Sequence, residues 1–398
     1  MEDYFVDLHV HVGQTEDGTT VKMAASKNLT LENIALECLE RKGINIVGIV
    51  DALSPKVLED LEKLIANGEL YELSGGGLCY RDKLTILLGC ELEIVEANGG
   101  SAHLLVYFPY KKIINKFANK IKPFVKNINY STQRCKLNAQ KLWEIANSCG
   151  AILIPAHIFT PHKGLYGKCT DSLEKVFSTK ALNTIIAVEL GLSADTELAD
   201  RVAELANFSF LSNSDAHSLA KIGREYNIMR LEKADFKEVI LALKNEQGRK
   251  IIANFGLNPK LGRYHRTFCR NCGYFLNKIY NYKIYNLDIC PKCKSNRIVK
   301  GVFDRIIEIS NNRQPHHPDF RPPYLYQIPL EFIPKVGKQT LNKLITAFGS
   351  EMKVLHLASY EEIAQVVGEK IARNIDLARK GRMELKPGGG GKYGKLII

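Results

Sequence analysis

Short apolar runs alternate with segments of helical periodicity from residue 4 to about residue 255. Seven of these runs have the composition of strands, and they begin near residues 4, 44, 85, 101, 151, 184 and 208. Helices are predicted between them, at residues 30–42, 56–67, 134–148, 196–206 and 235–246. Because strands that alternate with helices form a parallel sheet covered by helices, we expect an α/β unit, a closed or nearly closed barrel. A doubly wound open sheet is the alternative that this pattern leaves open.

The first apolar run also carries candidate metal ligands. Residues 4–12 read Tyr-Phe-Val-Asp-Leu-His-Val-His-Val, and in a strand this order places Asp7, His9 and His11 on one face, opposite an apolar face. Imidazole is a common ligand of zinc, and two histidines two residues apart can share one ion. Asp7 is expected to orient one of them, since metal-binding histidines are usually held by a carboxylate. An isolated His-x-His pair is a weak signal, so the interpretation depends on further ligands.

Further histidines and carboxylates stand at or near the ends of later runs. They are Glu91, His103, His157, Asp215 and His217. Barrels of this class gather their chemistry at the carboxyl ends of strands, so we expect these side chains to meet His9 and His11 at a metal centre. The chain has no glycine-rich nucleotide fingerprint and no nucleophile elbow, which favours metal-assisted hydrolysis. The catalytic candidates are His9, His11, Glu91 and Asp215, with Glu91 placed to bridge two ions.

Charge separates the chain into two regions. The formal net charge is +12 over 398 residues, and residues 256–398 hold 25 Lys and Arg against 11 Asp and Glu. A phosphate-rich polymer such as DNA is the natural partner of this region, and an acidic protein partner is the alternative. No run of 18 apolar residues and no signal-peptide pattern is present, so we expect a soluble, cytoplasmic protein that does not bind membranes. No pattern indicates an oligomer, and we expect a monomer.

Four cysteines in the basic region have the spacing of a zinc site. Cys269 and Cys272 form one Cys-x2-Cys pair, and Cys290 and Cys293 form another after seventeen intervening residues. Four thiolates at this spacing hold zinc in a closed tetrahedral site, whose role is structural. A ribbon this small gains its stability from the metal. The other six cysteines are scattered and are expected to be reduced thiols.

The C-terminal part of the chain contains a degenerate repeat. A Val-Gly pair opens each copy, at Val336 and at Val367, 31 residues apart. Each copy has the pattern of a helix-hairpin-helix element, in which glycine lets the backbone N–H groups at a helix start approach a DNA phosphate. The DNA-binding candidates in the ribbon and the repeat are Arg263, Arg266, Arg270, Lys335, Gly337, Lys338, Gly368 and Lys370.

The barrel motifs resemble those of a known family. The order His9-x-His11, Glu91, His103, His157 and Ser214-Asp215-Ala216-His217 is similar to the motif series of the polymerase and histidinol phosphatase (PHP) domain. That resemblance implies a distorted seven-stranded β/α barrel with two or three metal ions. The family commonly has Thr-Asp-His after its second strand, where this chain has Val50-Asp51-Ala52. The third ion therefore lacks a histidine and falls to Asp51, if it is present, and Asp17 stands near another family ligand.

The whole order of segments is similar to the endonuclease Q family. It implies a PHP barrel at 1–255, a four-cysteine zinc-binding domain at 256–312 and a helix-hairpin-helix-like DNA-binding tail at 313–398. The implied activity is a DNA-repair endonuclease that hydrolyses the phosphodiester bond 5′ to deaminated bases (uracil, hypoxanthine, xanthine) and abasic sites by metal-activated water. The implied cofactors are a structural Zn²⁺ on the cysteines and two or three divalent ions in the barrel, Zn²⁺ with Mg²⁺ or Mn²⁺ as alternatives. A sliding clamp is a further candidate partner.

Two other functions remain open from the sequence. A PHP-type phosphatase for small phosphate monoesters would use the same ligands but leaves the basic C-terminal region without a role. A DNA-binding accessory protein with an inactive barrel would fit the missing histidine at Ala52.

Overall fold

A computed structural model describes residues 1–276, 279–280, 283–284, 289–311 and 313–397 of the chain. The strands up to residue 256 are β1 (Glu2–Val10), β2 (Ile46–Ile49), β3 (Leu70–Glu72), β4 (Leu78–Tyr80), β5 (Leu84–Val95), β6 (Ser101–Phe108), β7 (Ile152–Pro155), β8 (Ala187–Glu189), β9 (Ser209–Leu211), β10 (Tyr226–Leu231) and β11 (Lys250–Gly256). The α-helices of this region are α1 (Leu31–Leu36), α2 (Pro55–Ala66), α3 (Lys111–Ile121), α4 (Ala139–Cys149), α5 (Thr179–Leu182), α6 (Thr196–Ala199) and α7 (Phe236–Lys244).

Seven of these strands form a closed, irregular barrel. β1, β2 and β5 pair in parallel, whereas β6 runs antiparallel to both β5 and β7. β8 pairs in parallel with β9, and a parallel bridge between Val10 and Ala216 joins the end of β9 back to β1. Between β7 and β8, the N–H of Ile158 donates to the carbonyl of Glu189 at 2.8 Å. The predicted distorted seven-stranded barrel is confirmed, and the open sheet is excluded.

Strands outside the predicted seven extend the barrel sheet. β10 pairs antiparallel with β1, β11 follows it, and the short hairpin of β3 and β4 pairs with β5. The helical predictions are close to the observed bounds except at 196–206, where α6 has only four residues and a separate 3₁₀ turn covers Ala203–Leu205. The helix predicted at 30–42 continues beyond α1 as a π-helical segment, Glu37–Lys42.

A bulge interrupts the alternation of β1. The pairing register between β1 and β2 shifts between Asp7 and Val10. Leu8 packs in one apolar cluster, while Val10 and Val12 pack in another. A bulge inserts an extra residue and changes the direction of the side chains that follow it. The shift follows Asp7 directly, so the strict alternation that placed Asp7 on the face of the two histidines does not hold in β1.

The described part of the C-terminal region contains short strands and five α-helices. The strands are β12 (Phe268–Cys269), β13 (Ile279–Tyr280), β14 (Lys283–Ile284), β15 (Ile298–Val299), β16 (Tyr324–Tyr326), β17 (Glu384–Lys386) and β18 (Lys395–Ile397), and the helices are α8 (Val302–Ile309), α9 (Lys338–Phe348), α10 (Glu351–His356), α11 (Tyr360–Val367) and α12 (Glu369–Arg379). β16 adds to the edge of the barrel sheet beside β11. No helix of the described residues is both long and apolar enough to span a bilayer.

The helical tail is fixed to the barrel by buried polar contacts. Lys42 forms an ion pair with Glu351 of α10 at 2.8 Å, and both side chains are almost fully buried. Nε2 of His356 lies 2.6 Å from the hydroxyl of Tyr226 in β10. Since a buried pair is costly to break on one side only, these contacts define how the tail docks on the barrel.

Candidate metal centre

Two groups of three ligands meet at one rim of the barrel. His9, His11 and Asp215 form one group, and their ligand atoms all lie within 4.8 Å of one another. Oδ1 of Asp215 is 3.6 Å from Nε2 of His9 and 3.5 Å from Nε2 of His11. Atoms this close can share one ion, because metal–ligand bonds of about 2.0–2.2 Å fit between them.

The second group consists of Glu91, His103 and His157. Oε1 of Glu91 lies 2.8 Å from Nδ1 of His103 and 3.4 Å from Nε2 of His157. His103 is near the start of β6, not near its end as the sequence suggested. Because β6 runs antiparallel, its start reaches the rim where its neighbours end.

Glu91 also faces the first group. Its Oε1 is 3.6 Å from Nε2 of His9, and its Oε2 is 3.5 Å from Nε2 of His11. The carboxylate therefore lies between the two groups and can bridge two ions. An independent observation shows that the two groups fit a metal ion. Nε2 of His9 is buried and, among the described residues, has no hydrogen-bond partner. An ion would satisfy this nitrogen.

Two carboxylates behind the centre orient its histidines. Nδ1 of His9 donates to Oε2 of Glu189 at 2.9 Å, and Nδ1 of His11 donates to Oδ2 of Asp51 at 3.0 Å. Both contacts direct the opposite ring nitrogen toward the ligand groups, which fixes the tautomer that binds metal. Asp51 thus occupies the position of an orienting residue.

Glu189 was missed by the sequence analysis, although a signal existed. Glu189 is the last residue of β8, and Glu91 also lies in an apolar strand that reaches this rim. A carboxylate in a short apolar run was therefore the signal in both cases. Asp7, to which the sequence analysis assigned the orienting role, accepts instead from the backbone N–H groups of Ser214 at 3.0 Å and Gly223 at 2.9 Å. The bulge in β1 explains this difference.

The backbone is strained at two ligands. His157 has φ of 26° and Asp215 has φ of 46°, both in the left-handed region that side chains other than glycine seldom adopt. Such strain persists only where the surrounding structure enforces it, and it is typical of functional sites. Gly191 lies against the first of these ligands, because a Cβ at Gly191 would stand 2.7 Å from Cβ of His157.

Burial and neighbouring charges shift the pKa values of the ligands in opposite directions. Burial alone would raise the pKa of Glu91, but His103 and Lys22 hold it well below its usual range. Burial would lower the pKa of His9, but the carboxylates of Glu189 and Asp215 raise it to about 10. The centre therefore stabilises the ionised carboxylate of Glu91, and its carboxylates stabilise positive charge at His9.

The remaining predicted ligands lie at or outside the edge of the centre. The His217 ring packs 4.7 Å from the His11 ring, centroid to centroid, and its Nδ1 donates to the carbonyl of Asp215 at 2.9 Å. Burial and the adjacent His11 lower the pKa of His217 to about 4. Asp17 is on an exposed turn, where its carboxylate accepts from the hydroxyl of Thr15 at 2.6 Å. Neither ligand group contains Asp17.

A cavity of about 410 Å³ opens onto the metal centre. Its wall combines metal-binding residues with Arg224, Arg263, Tyr264 and Tyr393. The guanidinium of Arg263 lies over the rings of Tyr264 and Tyr393, 5.7 and 5.5 Å from their centroids. The glycine-rich segment before Tyr393 is fixed there, because the N–H of Gly388 donates to the carbonyl of Lys260 at 2.7 Å. Residues of the barrel and of the C-terminal region thus border one cavity.

The four cysteines converge as predicted from their spacing. Sγ of Cys269 is 3.6 Å from Sγ of Cys293, and Cys272 and Cys290 are separated by the same distance. A tetrahedral zinc with Zn–S bonds of about 2.3 Å separates its sulfurs by about 3.8 Å, so the arrangement fits. Hydrogen bonds from the backbone of Ser295 and the side chain of Asn271 lower the pKa of Cys293 to about 6, which favours a thiolate ligand.

The predicted DNA-binding residues differ in their exposure and in whether another side chain already binds them. Arg266 is committed to an ion pair with Asp304 at 3.2 Å, whereas Arg270 is exposed. Lys335 and Lys370, from the two repeats, lie close enough that Lys370 lowers the pKa of Lys335. The remaining candidates, Gly337, Lys338 and Gly368, are exposed at the starts of α9 and α12.

Comparison with known proteins agrees with this architecture. The PHP-associated family (PHP_C) matches residues 195–247. The protein YqxK of Bacillus subtilis (strain 168) is 47% identical over 398 residues, which cover 100% of both chains. The crystal structure of the lesion-specific endonuclease PfuEndoQ from Pyrococcus furiosus is 34% identical with a TM-score of 0.85, over 100% of this chain and 96% of that one. The chain belongs to the endonuclease Q family.

A second similar structure is that of an endonuclease Q in complex with DNA. It contains a 27-mer duplex substrate with an abasic lesion at the active site, and its chain is 33% identical to this one. The TM-score is 0.83, with 100% of this chain and 97% of that chain covered. The resemblance drawn from the sequence is thereby confirmed, and the enzymatic class is that of a metal-dependent endonuclease.

Proposed function

We propose that this endonuclease Q cleaves DNA next to lesions, on the 5′ side of deaminated bases (uracil, hypoxanthine and xanthine) and of abasic sites. One observation carries the proposal: two groups of candidate metal ligands, with Glu91 of one group facing the other, lie at the mouth of a cavity that basic and aromatic residues of the C-terminal region also border. A small monoester would use the ligands but has no need of this second wall. The abasic duplex held by the related enzyme supports the abasic site as one of these substrates.

The side chains have separate parts in the reaction. His9, His11 and Asp215 would hold one ion, and Glu91, His103 and His157 would hold another, with Zn²⁺, Mg²⁺ or Mn²⁺ as candidates. Bound ions would lower the pKa of a water molecule and neutralise negative charge on the attacked phosphate. Cleavage would leave 3′-hydroxyl and 5′-phosphate ends.

The cavity fits an unstacked nucleotide beside the metal ligands. Tyr264 and Tyr393 offer flat faces for a base, and Arg263 between them offers positive charge for a phosphate. Turning a base out of the duplex costs a few kcal/mol, and the cost is least at damaged or mispaired positions, which favours lesions before any base contact is made.

The helical tail is proposed to hold the duplex without reading its sequence. Lys335 and Lys370 bring two positive charges together near the starts of α9 and α12, where backbone N–H groups are free to approach phosphate. Gly337 and Gly368 leave open space at those starts, since a Cβ at either would meet nothing within 4 Å. The three-part division at residues 255 and 312, the zinc on the four cysteines, the monomeric state and the sliding clamp as partner stay predictions.

The test is cleavage of defined duplexes that carry uracil, hypoxanthine, xanthine, an abasic site or no lesion, with the fragment ends mapped. The expected result is one nick 5′ to each lesion, loss of activity with a chelator, and no cutting of the intact duplex. Asp215→Asn keeps the size of the side chain but removes its charge, and it is expected to lower the rate at least about 100-fold. The exposed Asp171→Asn is the control and is expected to cleave normally. Release of phosphate from small monoesters without any nicking would contradict the proposal and favour a phosphatase.

A further inference from the structure

Lys22 reaches the metal centre from the loop after β1, and no sequence motif indicated it. Its ammonium Nζ is 3.2 Å from Oε2 of Glu91 and 3.3 Å from Nε2 of His11. It also donates to the hydroxyl of Thr132. Only 12% of the side chain is exposed, so this positive charge belongs to the interior of the site.

The loop that contains Thr132 is built around this contact. The hydroxyl of Thr132 donates to Oε2 of Glu91 at 2.6 Å and leaves its oxygen to accept from Lys22. Thr132 has φ of 49°, which is a true outlier for a β-branched residue. The N–H of Ser131 donates to the carbonyl of Val21 at 2.9 Å, which ties the two loops together. The protein thus sustains backbone strain to hold Lys22 against Glu91.

The described residues around Lys22 offer few ligands for a third ion. Ala52 is fully buried and has no ligand atom, and Asp17 is exposed on its turn. Asp51 accepts from Nδ1 of His11 and from the N–H of Val12 at 2.7 Å. His217 stands at the edge of this region, with its ring centroid 4.7 Å from that of His11.

We propose that Lys22 is a built-in cation of the centre: its ammonium takes the place of a third metal ion beside Glu91, so that the barrel binds two ions. The charge that an ion would contribute to the attacked phosphate is then supplied by a side chain. Its direct consequence is for the number and affinity of the barrel ions. It rests on the proposed function only for its effect on cleavage.

Metal binding tests the proposal without DNA. Purified protein is dialysed against buffers of defined free zinc concentration, and zinc per chain is measured for wild type, Lys22→Met and Lys22→Arg. Wild type is expected to saturate at roughly three ions per chain, two in the barrel and one on the cysteines. Lys22→Met is expected to bind the barrel ions about tenfold more tightly, because the ammonium no longer repels them. Lys22→Arg keeps the charge and should retain the wild-type affinity.

The direction of the change separates this role from a structural one. Removal of a lysine that merely supported the fold would loosen the ions. Four ions per wild-type chain, or unchanged or weaker zinc binding in Lys22→Met, would overturn the proposal. Lys175→Met, an exposed lysine paired with Asp171, is the control and should change nothing.

Cleavage of an abasic duplex gives the second measurement. Lys22→Met is expected to be about 100-fold slower than wild type at saturating zinc, and Lys22→Arg is expected to recover part of that loss. A rate within threefold of wild type for Lys22→Met would count against the proposal. If wild type itself cleaves no duplex, the proposed function fails while the zinc titration still decides the role of Lys22.

Discussion

The role of Glu189 can be tested by a change that keeps its shape. Both carboxylate oxygens accept hydrogen bonds: Oε2 from His9 at 2.9 Å and from Asn213 at 3.0 Å, and Oε1 from the N–H of His157 at 3.2 Å. In Glu189→Gln only one of the two positions can hold an oxygen. The amide NH₂ then faces a donor, whichever way the side chain is turned.

The expected effect is a weaker metal centre. A lost hydrogen bond to a charged group costs about 1.5–3 kcal/mol. Loss of the residue that orients a metal-binding histidine lowers metal affinity by about 10–100-fold, or about 1.4–2.7 kcal/mol. The two ranges agree, so Glu189→Gln is expected to bind barrel zinc about 10–100-fold more weakly than wild type.

Zinc per chain after dialysis at defined free zinc concentrations measures this affinity. Glu204→Gln is a matched control, because Glu204 also accepts from three donors, Tyr166, Ser172 and the N–H of Leu173, but lies outside the ligand groups. It should lower stability without affecting zinc. Affinity within twofold of wild type in Glu189→Gln, or an equal loss in Glu204→Gln, would refute the reasoning.

Three further predictions concern the centre, the interior and the tail. Gly191→Ala should weaken zinc binding by displacing the adjacent histidine, whereas Gly99→Ala, also at positive φ but in open space, should not; metal analysis compares them. Burial raises the pKa of Glu225 to about 8 from 4.5, so its folded form keeps the proton and stability falls as the pH rises between these values. Glu225→Gln should therefore raise the melting temperature at about pH 8 and leave it unchanged near pH 4, and equal shifts at both would contradict this. Replacing Lys335 and Lys370 by Gln should reduce the salt dependence of duplex binding by about two units of slope in a log–log plot, measured by fluorescence anisotropy, and an unchanged slope would exclude these contacts.

Local patterns were sufficient to predict the barrel and most of the candidate ligands. Strand periodicity and the order of helices depend on residues a few positions apart, so they can be recognised without a structure. His9 and His11 share a strand, and Cys269 and Cys272 share one turn, so their spacing alone predicts a shared ion. The separation of Cys290 from that pair also fitted a known spacing.

The tertiary structure decided the features that depend on contacts between distant segments. The bulge in β1 interrupts the alternation after Asp7, whose carboxylate accepts from the backbone N–H groups of His9, Ser214 and Gly223. The residue pattern of the strand gives no sign of this bulge. Glu189 and Lys22 join the centre from a separate strand and a loop. Their roles arise from electrostatic and hydrogen-bond contacts that form only when the barrel closes. Sequence periodicity determines which face a side chain occupies, but closure of the barrel determines which other side chains it meets there.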